Sequence, residues 1–87
     1  MAYAVHIAPA AVRGLAKLSE QAKRRVASVI DSLAANPRPP GAKKLAGKEN
    51  FWRVRVGDYR VIYTIEDRRL VVLVVKVGHR GEVYRGV

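Results

Sequence analysis

The sequence predicts a single mixed helix-and-sheet domain in which a helical hairpin lies on a β-sheet. Three observations support this. Apolar residues recur at helical spacing through residues 11–33, a period of two takes over at Phe51, and Gly57-Asp58 divides that second stretch into a hairpin. At 87 residues the chain can bury one modest core and not two, so one domain is expected over residues 1–87. A hydrophobic content of 49% excludes a disordered chain.

Residues 3–7 alternate, with Tyr3, Val5 and Ile7 on one face, which predicts a short first strand. His6 falls on the other face, where a lone histidine has an ordinary structural reading. Pro9 suits the first turn of a helix, because its missing N–H costs nothing there. Ala11, Val12, Leu15 and Leu18 continue that helix, although Gly14 weakens it by about 1 kcal/mol. Ser19 is a good N-cap for a second helix. Ala22, Val26, Val29, Ile30 and Leu33 line one side of it, while Lys23, Arg24 and Arg25 lie off that stripe and read as solvated. Asn36-Pro37 is expected to stop the helix, since a residue before proline disfavours the α region. Residues 37–41 are irregular, and residues 42–50 read as a connector carrying Lys43, Lys44 and Lys48 against Glu49.

In Gly57-Asp58 the glycine comes first, the order that a type II′ two-residue turn requires. That turn would pair Val56 with Tyr59, Arg55 with Arg60, Val54 with Val61, Arg53 with Ile62 and Trp52 with Tyr63. One face then holds Trp52, Val54, Val56, Tyr59, Val61 and Tyr63, and the helices should pack there. The other face collects Arg53, Arg55 and Arg60. Like charges directly opposite on a sheet are destabilising. Fold stability therefore does not favour setting Arg55 across from Arg60, whereas an anionic ligand does. A hydrated face with the arginine stems fanned apart is the competing reading.

Residues 70–77 are apolar at seven of eight positions, as expected of an inner strand covered on both faces. The run shows no alternation that would assign Lys76 to a face. Gly78 is expected to end the strand. An antiparallel return beside the hairpin would bring His79, Arg80 and Tyr84 toward the rim of the arginine face.

Seventeen Lys and Arg against seven Asp and Glu give a formal charge of +10. Residues 1–50 carry nine basic and three acidic side chains, and residues 51–87 carry eight and four, so the excess runs through the whole fold. Such a field attracts polyanions. The absence of cysteine excludes disulfides, thiolate nucleophiles and cysteine-ligated metals. No basic n-region precedes an apolar run at the N-terminus, and no apolar run is long enough to span a bilayer, so a cytoplasmic protein with no membrane partner is expected. Two separated histidines and scattered carboxylates offer no metal-ligand spacing, and no nucleophile elbow or phosphate-binding glycine loop occurs. Neither a metal nor a cofactor is expected. Arginines with one histidine and tyrosines instead suit metal-free phosphodiester chemistry on RNA. There the 2′-hydroxyl is the nucleophile, arginines neutralise the phosphorane-like transition state, and His79 has the best intrinsic pKa for proton transfer.

The pattern LAG…WRVRVGDYRVIY…VGHRGEVY resembles the RelE family of bacterial toxins, within the RelE/ParE superfamily, and the resemblance extends over essentially the whole chain. It implies an α+β fold, with two helices on a mainly antiparallel sheet of about four strands. It also implies an endoribonuclease that cleaves mRNA in the ribosomal A site, leaving a 2′,3′-cyclic phosphate and a 5′-hydroxyl. The partners it implies are an acidic RelB-like antitoxin, mRNA and the ribosome, with operator DNA reached through the antitoxin. Position by position, the two strand bases fall on Arg53 and Arg55, where well-studied members have lysines. The arginine of the Gly-x-Tyr-Arg segment falls on Arg60, the general acid on Arg80 and the substrate-stacking tyrosine on Tyr84. Lys43, Lys44 and Lys48 are expected to touch RNA or the ribosome. Arginine is a poor proton acceptor, so His79 is expected to take the 2′ proton. The other superfamily activity, gyrase inhibition without RNA cleavage, is the alternative.

Overall fold

The computed structural model describes residues 2–47 and 50–79. The element order is β1 (Ala4–Ile7), α1 (Pro9–Ala16), α2 (Glu20–Ser32), β2 (Lys43–Lys44), β3 (Phe51–Val56), β4 (Tyr59–Glu66) and β5 (Val71–His79). The strands form one sheet in the order β1-β5-β4-β3-β2, in which β1 runs parallel to β5 and all other neighbours are antiparallel. The four expected strands are present. The short β2 adds a fifth from the segment that reads as a connector.

The helices cover one face. Ser19 caps α2, its Oγ accepting the Ala22 N–H at 3.2 Å. Val26, Ile30 and Leu33, on one side of that helix and at its end, are buried against the sheet. The helix ends at Ser32 rather than at Asn36. Ser32 Oγ donates to the Val29 carbonyl and the Asn36 Oδ1 accepts the Arg38 N–H, so these polar side chains serve the helix end and the loop that follows. In α1, Pro9 takes the first turn as expected. Val12, however, is 52% exposed. The packed stripe of α1 instead passes through the buried Ala11 and the partly buried Gly14 and Leu15, and continues to Leu18 just past the helix, because a Cβ on Gly14 would overlap the Val77 carbonyl oxygen and the helix backbone seats directly on β5. Val12 lies about 100° round the helix from Ala11 and so faces away.

The hairpin forms as its turn chemistry requires. Gly57 has φ +60° and Asp58 does not join it at positive φ, the type II′ pattern. All five expected cross-strand pairs occur, Arg55 opposite Arg60 among them. Val54, Val56, Val61 and Tyr63 are buried beneath the helices. The Tyr63 hydroxyl donates to the Pro37 carbonyl at 2.8 Å, and burial pushes its pKa up to about 12.

In β5 the pairing with β4 slips: Ile62 stands opposite Lys76 but Tyr63 opposite Val74. The extra residue, Val75, is a bulge that reverses which face each later side chain takes. Val77 thereby enters the core and Lys76 joins the face away from the helices. Gly78 does not end the strand, which continues through His79.

A clamp ties the loop after α2 to the β4–β5 turn. Arg38 binds Asp67 through both guanidinium nitrogens at 3.2 and 2.9 Å, Tyr3 Oη donates to Asp67 Oδ1 at 2.7 Å, and the Arg38 guanidinium lies 5.1 Å above the Trp52 ring. The hydrogen bonds from Arg38 and Tyr3 hold the Asp67 carboxyl at a pKa of about 2. A depressed carboxyl stabilises the fold above its unfolded value and loses that contribution as pH falls through its folded one. Asp67→Asn is therefore expected to lower the thermal midpoint at neutral pH. The gap from wild type should close between about pH 4 and pH 2 in melts followed by circular dichroism. A gap that persists at the acid end would discount the clamp.

Candidate functional site

The face away from the helices carries the basic residues. Strand alternation puts Arg53 and Arg55 of β3, Arg60 of β4 and Lys76 of β5 on it, and Lys43 of β2 joins them as the partner of Arg53. Lys44 pairs with Trp52 and so takes the opposite face, at the exposed edge. The expected RNA-contacting lysines are thus split by the sheet. Lys48, Arg80 and Tyr84 lie outside the described residues.

This face is not simply hydrated. Ile62, flanked in register by Arg53 and Lys76, is fully buried although it points away from the helices. The Nε and Nη1 atoms of Arg60 are also shielded from solvent, and they have no hydrogen-bond partner among the described residues. A buried cationic donor without a partner costs the fold roughly 1–3 kcal/mol or more. Arg55 turns aside, its Nε donating to the Gly57 carbonyl at 3.0 Å, which relieves its opposition to Arg60. None of Arg53, Arg55 and Arg60 joins the ion pairs of the described residues, which are Lys23–Glu20, Arg38–Asp67 and Arg69–Glu66. The arrangement is several guanidinium forks held by the sheet with no carboxylate among the described residues to satisfy them, which suits the oxygens of a phosphodiester.

His79 reaches the expected end of the sheet, at the rim of the arginine face. It pairs with Tyr59, and the two rings meet edge-on at 5.2 Å on the side of the helices. Gly78, its neighbour, stands directly opposite Arg60. The histidine therefore sits over the rim from the guanidinium groups, separated from them by a residue with no side chain. His6, on the opposite edge strand, is remote from this end, in keeping with its structural reading.

Sequence reasoning misses one residue. Arg25 reads as part of the solvated face of α2, yet its guanidinium lies where a Cβ on Gly57 would be 3.5 Å from both terminal nitrogens. It brings a further cation to the hairpin turn. Nothing in the helical pattern signals this, because the contact depends on how α2 crosses the sheet.

The family described as ParE toxin of type II toxin–antitoxin system, parDE, matches residues 5–84. Toxin RelG of Mycobacterium tuberculosis is 33% identical over 92 residues, covering 98% of this chain and 99% of that protein. Among solved structures, the archaeal RelE–RelB complex from Pyrococcus horikoshii superposes with a TM-score of 0.81 at 34% identity, covering 93% of this chain and 98% of that one. The RelBE2 toxin–antitoxin complex of Mycobacterium tuberculosis gives a TM-score of 0.80 at 29% identity, over 92% of this chain and 100% of its counterpart.

Proposed function

We infer the function from one premise: the chain belongs to the ParE/RelE toxin family of type II toxin–antitoxin systems. Within that family we propose an mRNA interferase, a metal-independent endoribonuclease that acts on mRNA in the ribosomal A site. The observation that carries this reading is Arg60, whose Nε and Nη1 are shielded and have no partner among the described residues, on a face shared with Arg53 and Arg55. A buried cation kept without a counter-ion weakens a fold, and a phosphate seated there would supply the missing acceptor.

In this mechanism the 2′-oxygen attacks the adjacent phosphorus in line and the bond to the 5′-oxygen breaks. The products are a 2′,3′-cyclic phosphate and a 5′-hydroxyl. Arg53, Arg55 and Arg60 hold the nonbridging oxygens as charge builds on them. One proton leaves the 2′-hydroxyl, and we assign it to His79, the described imidazole at this rim. Another reaches the 5′-oxygen, a role the family resemblance gives to Arg80, while Tyr84 stacks on a base. Lys43, Lys44 and Lys48 extend the basic surface toward RNA and the ribosome. The solved relatives are toxin–antitoxin complexes, which supports a RelB-like acidic antitoxin as the inhibitor of this chain. No helix among the described residues is long and apolar enough to cross a membrane, which fits action in the cytoplasm.

Brief induction in cells followed by mapping of RNA 5′ ends tests the proposal. New 5′-hydroxyl ends within coding sequences are expected. The matched family is described as ParE, which favours gyrase inhibition as the second reading. A DNA-damage response without RNA fragments would select it and overturn the nuclease.

A further inference from the structure

A second basic feature lies beside the arginine face, on the helix side of the same rim. A cleft of about 600 Å³ opens between α1 and the ends of β4 and β5, and its lining includes Arg13, Lys17, Tyr59, Lys76, Gly78 and His79. That volume falls in the range of small-ligand sites. No carboxylate stands among the described lining residues, so nothing in that lining offsets the charges of Arg13 and Lys17. Arg13 and Lys17 are exposed, at the end of α1, and Tyr59 offers an aromatic ring backed by the core. The cleft exists because Gly14 lets α1 rest against the backbone of β5 beyond the end of β1.

The cleft and the arginine face share a boundary. Lys76 belongs to both, and Gly78, opposite Arg60, forms a saddle without a side chain between them. At Gly78 itself no side chain stands in the way of a single strand of RNA that crosses from the arginine face. We propose that this cleft is a subsite for the RNA upstream of the scissile phosphate, with one base stacked on Tyr59 and its phosphate held by Arg13 and Lys17. The direction follows from chemistry. The attacking 2′-hydroxyl belongs to the nucleotide on the 5′ side of the scissile phosphate, and His79, which takes its proton, stands at the mouth of the cleft. This placement rests on the nuclease reading above. It adds a specificity site that the arginine face does not contain.

The test measures binding of 2′-O-methyl single-stranded RNAs, which cannot be cleaved, by fluorescence anisotropy. A trinucleotide is compared with versions extended by four nucleotides on the 5′ side or on the 3′ side. The 5′ extension is expected to tighten binding about tenfold, as one stacked base with its neutralised phosphate would, and the 3′ extension much less. The Arg13→Gln/Lys17→Gln double variant should lose that gain and leave the trinucleotide affinity unchanged. The slope of log K against log salt for the 5′-extended RNA should also become shallower, by about 0.7 for each phosphate that is no longer neutralised. Arg24→Gln/Arg68→Gln removes the same charge from exposed positions away from the cleft and should keep the gain.

Equal gains from both extensions, equal losses in the two double variants, or no gain at all would overturn the subsite. So would weakened binding of an acidic antitoxin by the Arg13/Lys17 variant with RNA affinity intact, which would make the cleft a protein-docking surface. Failure of the nuclease reading looks different: the Arg60→Ala variant would bind the trinucleotide as tightly as wild type, and induced cells would contain no new 5′-hydroxyl ends.

Discussion

Replacing Arg60 with alanine is expected to lower mRNA cleavage by about 10²–10³-fold, the usual cost of removing one preorganised donor from a charge-stabilising site. The same substitution should leave the thermal midpoint nearly unchanged. Arg60 is half-buried, with shielded Nε and Nη1 atoms that bond nothing among the described residues, so truncating it removes an unsatisfied cation from the fold. Some packing over the buried Ile62 disappears in return. A structural arginine would behave the other way, with stability and activity falling together. Arg60→Lys separates charge from shape: it keeps the positive charge but lacks the planar fork, and partial activity is expected. Arg80→Ala is expected to abolish cleavage as well. Cleavage at the wild-type rate by Arg60→Ala and Arg80→Ala, measured by primer extension on a reporter mRNA, would sink the nuclease reading.

Gly14→Ala should destabilise the protein by about 2 kcal/mol or more, although helix propensity alone argues the opposite. In an exposed helix interior, alanine for glycine gains up to about 1 kcal/mol. Here the new methyl would overlap the carbonyl oxygen of Val77, which is backbone and cannot swing aside as a side chain would. Overpacking of this kind costs about 1–3 kcal/mol and sometimes more, and α1 must lift from β5 to relieve it. For a domain of this size the melting temperature should fall by about 10 °C or more. Because the lifted helix also forms one wall of the rim cleft, any folded Gly14→Ala protein should lose the affinity gained from a 5′ RNA extension. An unchanged or raised midpoint would show that α1 does not rest on β5 in this way.

The two substitutions differ in how far the sequence anticipates them. Arg60 is legible, because a two-residue turn with glycine first leaves only one register for the hairpin, and that register carries every side chain to a determined face. Trp52, Val54, Val56, Tyr59, Val61 and Tyr63 accordingly share the covered face. Gly14 is legible only as a weak point in a helix. Its purpose appears once Val77 lies beneath it.

Elsewhere local signals underdetermine the result. Val12 fits a helical stripe as well as its neighbours do, and only the close seating of α1 at Gly14 turns it outward. Lys43 and Lys44 carry no strand pattern, so their pairing with Arg53 and Trp52 comes from the edge that β3 offers. Arg25 reaches the hairpin turn through the crossing of α2 over the sheet.

Local signals along the chain suffice for the helical hairpin, the β3–β4 register and the gathering of Arg53, Arg55 and Arg60 on one face. Caps, turn chemistry and apolar period act over a few residues and leave little freedom. The last strand is settled only by long-range packing. Residues 70–77 are apolar at nearly every position, so both registers bury similar surface and the pattern cannot choose between them. Packing chose: the bulge at Val75 sends Val77 into the core beneath Gly14, Lys76 to the arginine face, and His79 against Tyr59 on the other side of the rim.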